Sequence, residues 1–339
     1  MKNSTAPNRK TGRMIAKNLI VLFTVALAGF CGIQAWFTDK SSAEADGINV
    51  ECQAPDGIEI AVVGRGADAP ASDKYTTGNI TLNKDNYPFL KKLQLTEITG
   101  DGISFSKPAL IQLGGRANVD TSATSNWSEP TVNEHYLSFD LYIRSKSQYN
   151  IAIGGKSTIK PEAPQLTTQD GKGIQNKSKY GNFSRDSVVG AVRFSVVDYD
   201  SQPTPLKKLL WLPAPNILLK QDGDNYTLSD NEQSGVSYSH VYYDKNKTKQ
   251  EVSSTTGDKA FVVNNNGFPD GKFTYELGED QPIARLEKPS GTGQENNQFF
   301  SAMVTCNMWI EGEDEEARLA LINGEFKVNL VLTKVTKES

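Results

Sequence analysis

The densest set of metal-binding side chains in the sequence is a run of acids near the C-terminal end. Five carboxylates fall within six positions, at Glu311, Glu313, Asp314, Glu315 and Glu316. Because carboxylate oxygens are preferred calcium ligands, Glu311, Glu313 and Asp314 are candidate ligands for this ion. The alternative is a short helix from Asp314 to Asn323, whose first turn is favoured by acids. The sequence indicates no other cofactor.

Two tryptophans are candidates for carbohydrate binding, since an exposed indole can stack on a sugar ring. Trp127 lies in the polar stretch Ser125 to Ser128. Trp309 has the opposite parity to Cys306 and Met308, so it leaves the face that those two residues share. Burial in a core or at a sheet edge is the alternative for both rings.

Cysteines and histidines are few. Cys52 and Cys306 both occupy apolar positions of alternating segments. In an oxidising compartment they can form a disulfide, or they can remain two buried thiols. His135 and His240 are the only histidines, so a His-Glu-x-x-His metal helix cannot be built. With no nucleophile elbow either, the sequence predicts a protein without catalysis.

The N-terminal region carries a membrane signal. Residues 19–37 are apolar except for Thr24 and Gln34, and a helix of this length spans about 28 Å, enough to cross a bilayer. Five basic residues and no acid precede it, which predicts a cytoplasmic N-terminus and export of the rest. We predict a signal helix cleaved between Ala35 and Trp36; an uncleaved membrane anchor is the alternative.

After this helix, period-two hydrophobic alternation dominates and predicts an all-β fold. Leu137, Phe139, Leu141 and Ile143 form one face of a half-buried strand, and 188–197 is apolar enough for a central strand covered on both faces. Segments 300–310 and 326–332 repeat the alternation. We predict an antiparallel β-sandwich with one short C-terminal helix.

The leader resembles that of the exported biofilm-matrix family that includes TasA and camelysin. The resemblance covers about residues 14 to 62 and rests on three blocks: Gly32-Ile33-Gln34-Ala35-Trp36-Phe37-Thr38-Asp39, Ala45-Asp46-Gly47-Ile48 and Gly57-Ile58-Glu59-Ile60. It implies a jelly-roll-like sandwich, cleavage just before Trp36, and fibres in which a donated N-terminal segment completes a neighbour's sheet. The blocks 189–193, 211–215 and 309–314 are similar to recurrent blocks of surface proteins from anaerobic Gram-positive bacteria.

These features predict a basic tail with a signal or anchor helix (1–37), a linker (38–46) and an extracytoplasmic β-sandwich (47–339). The exported part has 31 Lys and Arg against 40 Asp and Glu, a net charge of −9, which disfavours nucleic acid. The expected function is a structural or adhesive role at the cell surface. Expected partners are the membrane before cleavage, further copies of the chain, and matrix or cell-wall polymers. A carbohydrate-binding module and a secreted glycosidase or peptidase are the alternatives.

Overall fold

The structure is a computed structural model that describes residues 42–44, 48–113, 116–119, 124–161, 191–200, 205–212, 217–222, 225–230, 238–254, 261–262, 277–278, 282–288, 298–313 and 326–335. The strands in these ranges, in chain order, are β1 (Ser42–Glu44), β2 (Ile48–Gln53), β3 (Ile58–Gly64), β4 (Ile80–Leu82), β5 (Gln94–Gly100), β6 (Phe105–Ser106), β7 (Leu110–Leu113), β8 (Arg116–Val119), β9 (Leu137–Ser145), β10 (Asn150–Ile153), β11 (Thr158–Pro161), β12 (Val192–Asp198), β13 (Leu206–Trp211), β14 (Ile217–Asp222), β15 (Asn225–Asp230), β16 (Tyr238–Tyr243), β17 (Lys249–Ser254), β18 (Phe261–Val262), β19 (Pro282–Arg285), β20 (Phe300–Glu311) and β21 (Phe326–Val335). Short 3₁₀ turns occur at Ser72–Lys74, Pro88–Leu90 and Thr124–Asn126. The all-β prediction is confirmed.

Two large sheets enclose the core. One has nine strands: β1, β5, β20, β12, β13 and β18 lie side by side, β9 lies between β20 and β3, and β6 pairs with β5. The other has the order β19-β10-β21-β2-β4, with β11 also pairing with β21. Three hairpins form separate two-stranded sheets: β7–β8, β14–β15 and β16–β17. The Gly, Asn and Asp content of residues 221–235 predicts a loop, but residues 221–222 and 225–230 of this stretch belong to β14 and β15.

Most strand pairs are antiparallel, as predicted, but two are parallel. β2 lies parallel to β21, and β5 lies parallel to the last residues of β20. Parallel neighbours cannot be joined by a tight turn, and each of these pairs joins strands from distant parts of the chain. The antiparallel description therefore holds for the other described pairs only.

The hydrophobic alternation read from the sequence matches the buried faces. Leu137, Phe139, Leu141 and Ile143 of β9 all point into the main core, which also takes side chains from the other sheet. Strand β12 is covered on both faces and has β13 and β20 as neighbours. A second cluster on the outer face of the nine-stranded sheet contains Ile98, Tyr136, Leu210, Leu212 and Trp309. This sheet is therefore buried on both sides around β5, β12 and β20.

Some predictions concern residues outside the described ranges. The apolar segment 19–37 and the helix 314–323 are both in this group. Among the residues that are described, no helix has the length and apolar character needed to cross a membrane. The compact unit begins at Ser42, and residues 42–44, which lie within the predicted linker, form β1.

Candidate functional site

Strand β1 pairs with one edge of β5, and we call this edge, Gln94 to Thr96, the slot. β1 pairs antiparallel with β5 over three residues, with Ser42 opposite Thr96, Ala43 opposite Leu95 and Glu44 opposite Gln94. Only three residues separate β1 from β2, yet β2 belongs to the other sheet. The chain thus changes sheets within a very short connection, and β1 is held by few backbone hydrogen bonds.

The opposite edge of β5 is fixed independently of β1. The Gln94 amide donates to the Glu134 carbonyl at 2.8 Å, and the Thr96 amide donates to the His135 carbonyl at 3.1 Å. The His135 ring accepts from the Thr131 amide through Nδ1 at 2.8 Å, which holds this loop in place. Burial and the neighbouring Lys107 charge lower the pKa of His135. β5 therefore keeps half of its pairing whether or not β1 occupies the slot.

One buried polar atom of β5 has no partner within the described ranges. The Thr96 hydroxyl oxygen is buried and has no hydrogen-bond partner in the described part of the chain. A buried hydroxyl without a partner costs about 1–3 kcal/mol.

A Thr96→Val substitution should be neutral or should stabilise the protein by up to about 1 kcal/mol, because valine has the same shape and no unpaired hydroxyl. The matched control is Thr99→Val in the same strand, whose hydroxyl accepts from the Tyr243 amide at 2.8 Å. That change should destabilise by about 1–3 kcal/mol. Denaturant unfolding of both variants measures the difference, and equal losses would contradict this account of the slot.

Next to the slot, the outer face of the nine-stranded sheet carries a buried polar ladder. The Ser138 hydroxyl donates to Asn307 Oδ1 at 2.7 Å, and Asn307 Nδ2 donates to the Ser195 hydroxyl at 3.2 Å. One row away, the Thr305 hydroxyl donates to Asp140 at 2.6 Å. These side chains stand opposite one another on β9, β20 and β12. The ladder fixes the register of three central strands.

The ladder ends at Glu311, a fully buried carboxyl. Its Oε2 atom accepts from the Trp309 indole at 3.1 Å and from the Gly100 amide at 3.3 Å. Its Oε1 atom accepts from the Glu313 amide at 3.3 Å. Burial raises the pKa of Glu311 to about 8, because desolvation outweighs the hydrogen bonds and the Arg193 charge that favour the carboxylate.

A hairpin covers this carboxyl from outside. In β16–β17, the His240 ring lies 2.9 Å from the Gly100 carbonyl through Nε2, and the Tyr243 amide bonds Thr99. Beyond the turn, Lys249 forms an ion pair with Glu313 at 2.8 Å. The hairpin thus seals Glu311 from solvent, and a substrate or ion cannot reach it in this arrangement.

Together, these features are a sheet edge that pairs with a short strand and, beside it, a layer of buried polar side chains that solvent does not reach. The layer links the central strands through side-chain hydrogen bonds, and the edge pairs with an extended segment. No family model, curated protein or solved structure matches this chain.

Two of the three candidate calcium ligands, Glu311 and Glu313, are described by the structure, and both are engaged within the protein. Glu311 is held by the Trp309 indole, the Thr99 side chain and the amides of Gly100 and Glu313, and Glu313 pairs with Lys249. Asp314 lies outside the described residues. In the part of the chain that is described, no three acid, histidine or cysteine side chains form a group that could hold a metal.

The two candidate stacking tryptophans are both buried, which is a correction to the carbohydrate interpretation. Trp309 is 0% exposed and packs edge-on against Phe105 with ring centroids 5.0 Å apart. Trp127 is 9% exposed and packs edge-on against Tyr243 at 4.7 Å. A sugar needs an open ring face, and both indoles are covered by the protein itself.

Cys52 and Cys306 are free thiols, so the structure has the second of the two arrangements predicted for them. Both are fully buried in the main core, as their parity indicated. They lie on different sheets, and facing sheets are about 10 Å apart, whereas a disulfide needs Cα atoms within about 7 Å. Burial raises the pKa of Cys52 to about 12 and that of Cys306 well above its ordinary value, which favours the protonated thiol at both positions.

The sequence indicated some of the other site residues but not all of them. The predicted cleavage site, Ala35 and Trp36, lies outside the described residues. Glu311 shares the parity of Trp309, Asn307 and Thr305, so the polar face of β20 was readable from the sequence. By contrast, β1 has only three residues, and no periodic signal could mark it.

Proposed function

We propose that this chain is an exported cell-surface protein with a structural or adhesive role, and that its activity is association with further copies through β1. The observation that supports this is the three-residue pairing of β1 with β5, directly after the predicted leader. A second copy presents the same residues to the same slot, so β1 can be exchanged without the loss of any contact. A short connection between swapped elements favours such an exchange.

The resemblance of residues 14 to 62 to the TasA and camelysin family supports the same proposal, since donated N-terminal segments build fibres there. The proposal includes a jelly-roll-like topology for the sandwich. In support, the chain changes sheets repeatedly: β2, β10, β11, β19 and β21 lie in the six-stranded sheet, while β3, β9, β12 and β20 lie in the nine-stranded sheet. The protein would then be a component of a matrix or fibre.

Exchange of β1 should be detectable with two co-expressed full-length variants, Glu44→Cys and Gln94→Cys, each also carrying Cys31→Ser and a tag of different size. Opposite residues in an antiparallel pair have Cα atoms about 4.5–5.5 Å apart, within disulfide range. Because each chain has only one of the two new thiols, a disulfide between the tags forms only if β1 of one chain enters the slot of another. We expect disulfide-linked heterodimers on non-reducing gels.

The matched control is a second co-expressed pair, Glu51→Cys and Thr81→Cys, which are opposite residues of β2 and β4 inside the domain. This pair should give no link between chains. Export is tested on the same material by N-terminal sequencing, which should begin at Trp36. Heterodimers that are no more abundant than in the control, at every concentration tested, would rule out exchange of β1.

A further inference from the structure

A cluster of lysines lies at the other end of the sandwich from the β1 slot. Lys146 follows β9, Lys288 follows β19, and Lys334 lies near the end of β21. The strands bring these positions together: Ser145 pairs with Phe300, Glu287 bridges Ser301, and the Leu286 amide donates to the Tyr149 carbonyl. We call Lys146, Tyr149, Lys288, Phe300 and Lys334 the basic end.

Two of the three lysines are positioned by aromatic rings. The Lys334 ammonium lies 4.7 Å from the centre of the Tyr149 ring, and the Lys288 ammonium lies 5.6 Å from that of Phe300. Both rings are partly buried against the main core, so they are fixed in place. Ammonium groups held in this way lose less conformational freedom when a ligand binds.

The charge of these lysines is not compensated within the described part of the chain. The neighbouring arginines have acid partners: Arg144 pairs with Glu59 at 2.6 Å, and Arg285 pairs with Glu287 at 3.8 Å. Among the described residues, no acid lies within ion-pair distance of Lys146, Lys288 or Lys334. Lys146 and Lys288 are exposed and Lys334 is partly exposed, on a protein whose sequence beyond residue 38 has a net charge of −9.

The basic end is remote from the strand-exchange site. The slot of β1 lies beside β5, which pairs with Ile310 and Glu311 at one end of β20. The basic end surrounds Phe300 at the other end, ten residues or roughly 33 Å away along the strand. A ligand at the basic end therefore leaves β1 free to exchange.

We propose that the basic end binds an anionic polymer outside the cell, of the class in which phosphodiesters link polyol units. Lysine ammonium groups act as point charges for phosphate, and the edges of Tyr149 and Phe300 can contact the CH groups of the polyol. A lipid surface fits less well, because Val132 is the one exposed large hydrophobic residue in the described ranges, and no apolar side chain at the basic end can insert into a bilayer. The location of the partner rests on the proposed export.

The test measures binding of the full-length protein, in a nonionic detergent, to synthetic poly(glycerol phosphate). The variant Lys146→Gln, Lys288→Gln and Lys334→Gln should lose roughly tenfold or more in affinity, and its binding should depend less on salt. The matched control, Lys91→Gln, Lys92→Gln and Lys245→Gln, removes three exposed charges elsewhere and should stay within about twofold. Replacing the first three lysines with arginine should keep the affinity, which separates loss of charge from misfolding.

Two results would overturn the proposal directly: no binding to poly(glycerol phosphate), or equal losses of affinity in both glutamine variants. A third would be equally tight binding to duplex DNA or phosphatidylglycerol vesicles that is weakened to the same extent when Lys146, Lys288 and Lys334 are replaced. The chain-exchange experiment has a separate readout, the link between tagged chains. Failure of the polymer test with intact exchange therefore contradicts only the basic end, and the reverse result contradicts only the role of β1.

Discussion

Replacing Trp309 with alanine is expected to destabilise the protein by about 3–5 kcal/mol, through loss of buried ring contacts and the cavity left behind. Trp309 is fully buried and the largest of the fully buried side chains in the described ranges. It packs edge-on against Phe105, and its ring lies 6.2 Å from that of His240. Its indole also donates to Glu311, so the substitution leaves a buried carboxyl with one donor fewer.

A graded series separates the packing from the hydrogen bond. Trp309→Phe keeps most of the ring but removes the donor, so it should cost about 1–3 kcal/mol. Val132→Ala removes a side chain that is 37% exposed and should change stability by less than about 0.5 kcal/mol. Urea unfolding of the full-length chain, followed by circular dichroism, measures all three. A loss below 1 kcal/mol for the alanine variant, together with lost polysaccharide binding, would restore the stacking interpretation.

The position of Trp309 shows how far the sequence alone can predict this fold. Parity correctly placed Cys306 and Met308 in the core and Trp309 on the opposite face of β20. What covers that face could not be predicted, because the cover comes from Phe105, Tyr136 and the β16–β17 hairpin, all at least 55 residues away in the chain. The apolar stretch of β12 did indicate a sheet buried on both sides, but one sequence does not show that β12 lies beside β20.

The cysteines and β1 show the same limit, because their neighbours come from distant parts of the chain. Both cysteines were correctly assigned to the interior, yet whether they meet depends on sheet membership, which alternation does not encode. β1 was missed because three residues carry no period, and its partner strand β5 begins 50 residues later. Local patterns thus predicted which strand faces are buried, while the pairing of distant strands determines which residues meet at the site.

Glu311 should make stability depend on pH. Its pKa is about 8 in the folded protein against an ordinary value of 4.5. Below about pH 4.5 the carboxyl is protonated in both folded and unfolded chains, and its stabilising contribution is fully present. Between these values only the folded chain keeps the proton, so stability should fall by up to about 1.4 kcal/mol per pH unit as the pH rises. Above about pH 8 the loss is complete, on the order of 5 kcal/mol.

A Glu311→Gln variant removes this titration while keeping the size of the side chain. From pH 5 to pH 8, the unfolding free energy of the wild type should therefore fall more than that of the variant. Glu287→Gln removes one carboxylate from a position where the side chain is 68% exposed, and it controls for the change in net charge. Parallel curves for wild type and Glu311→Gln would mean that the folded protein tolerates the ionised carboxylate. In that case the hydrogen-bond donors around Glu311, Thr99 among them, and the Arg193 charge outweigh desolvation, and the layer beside the β1 slot is insensitive to pH in this range.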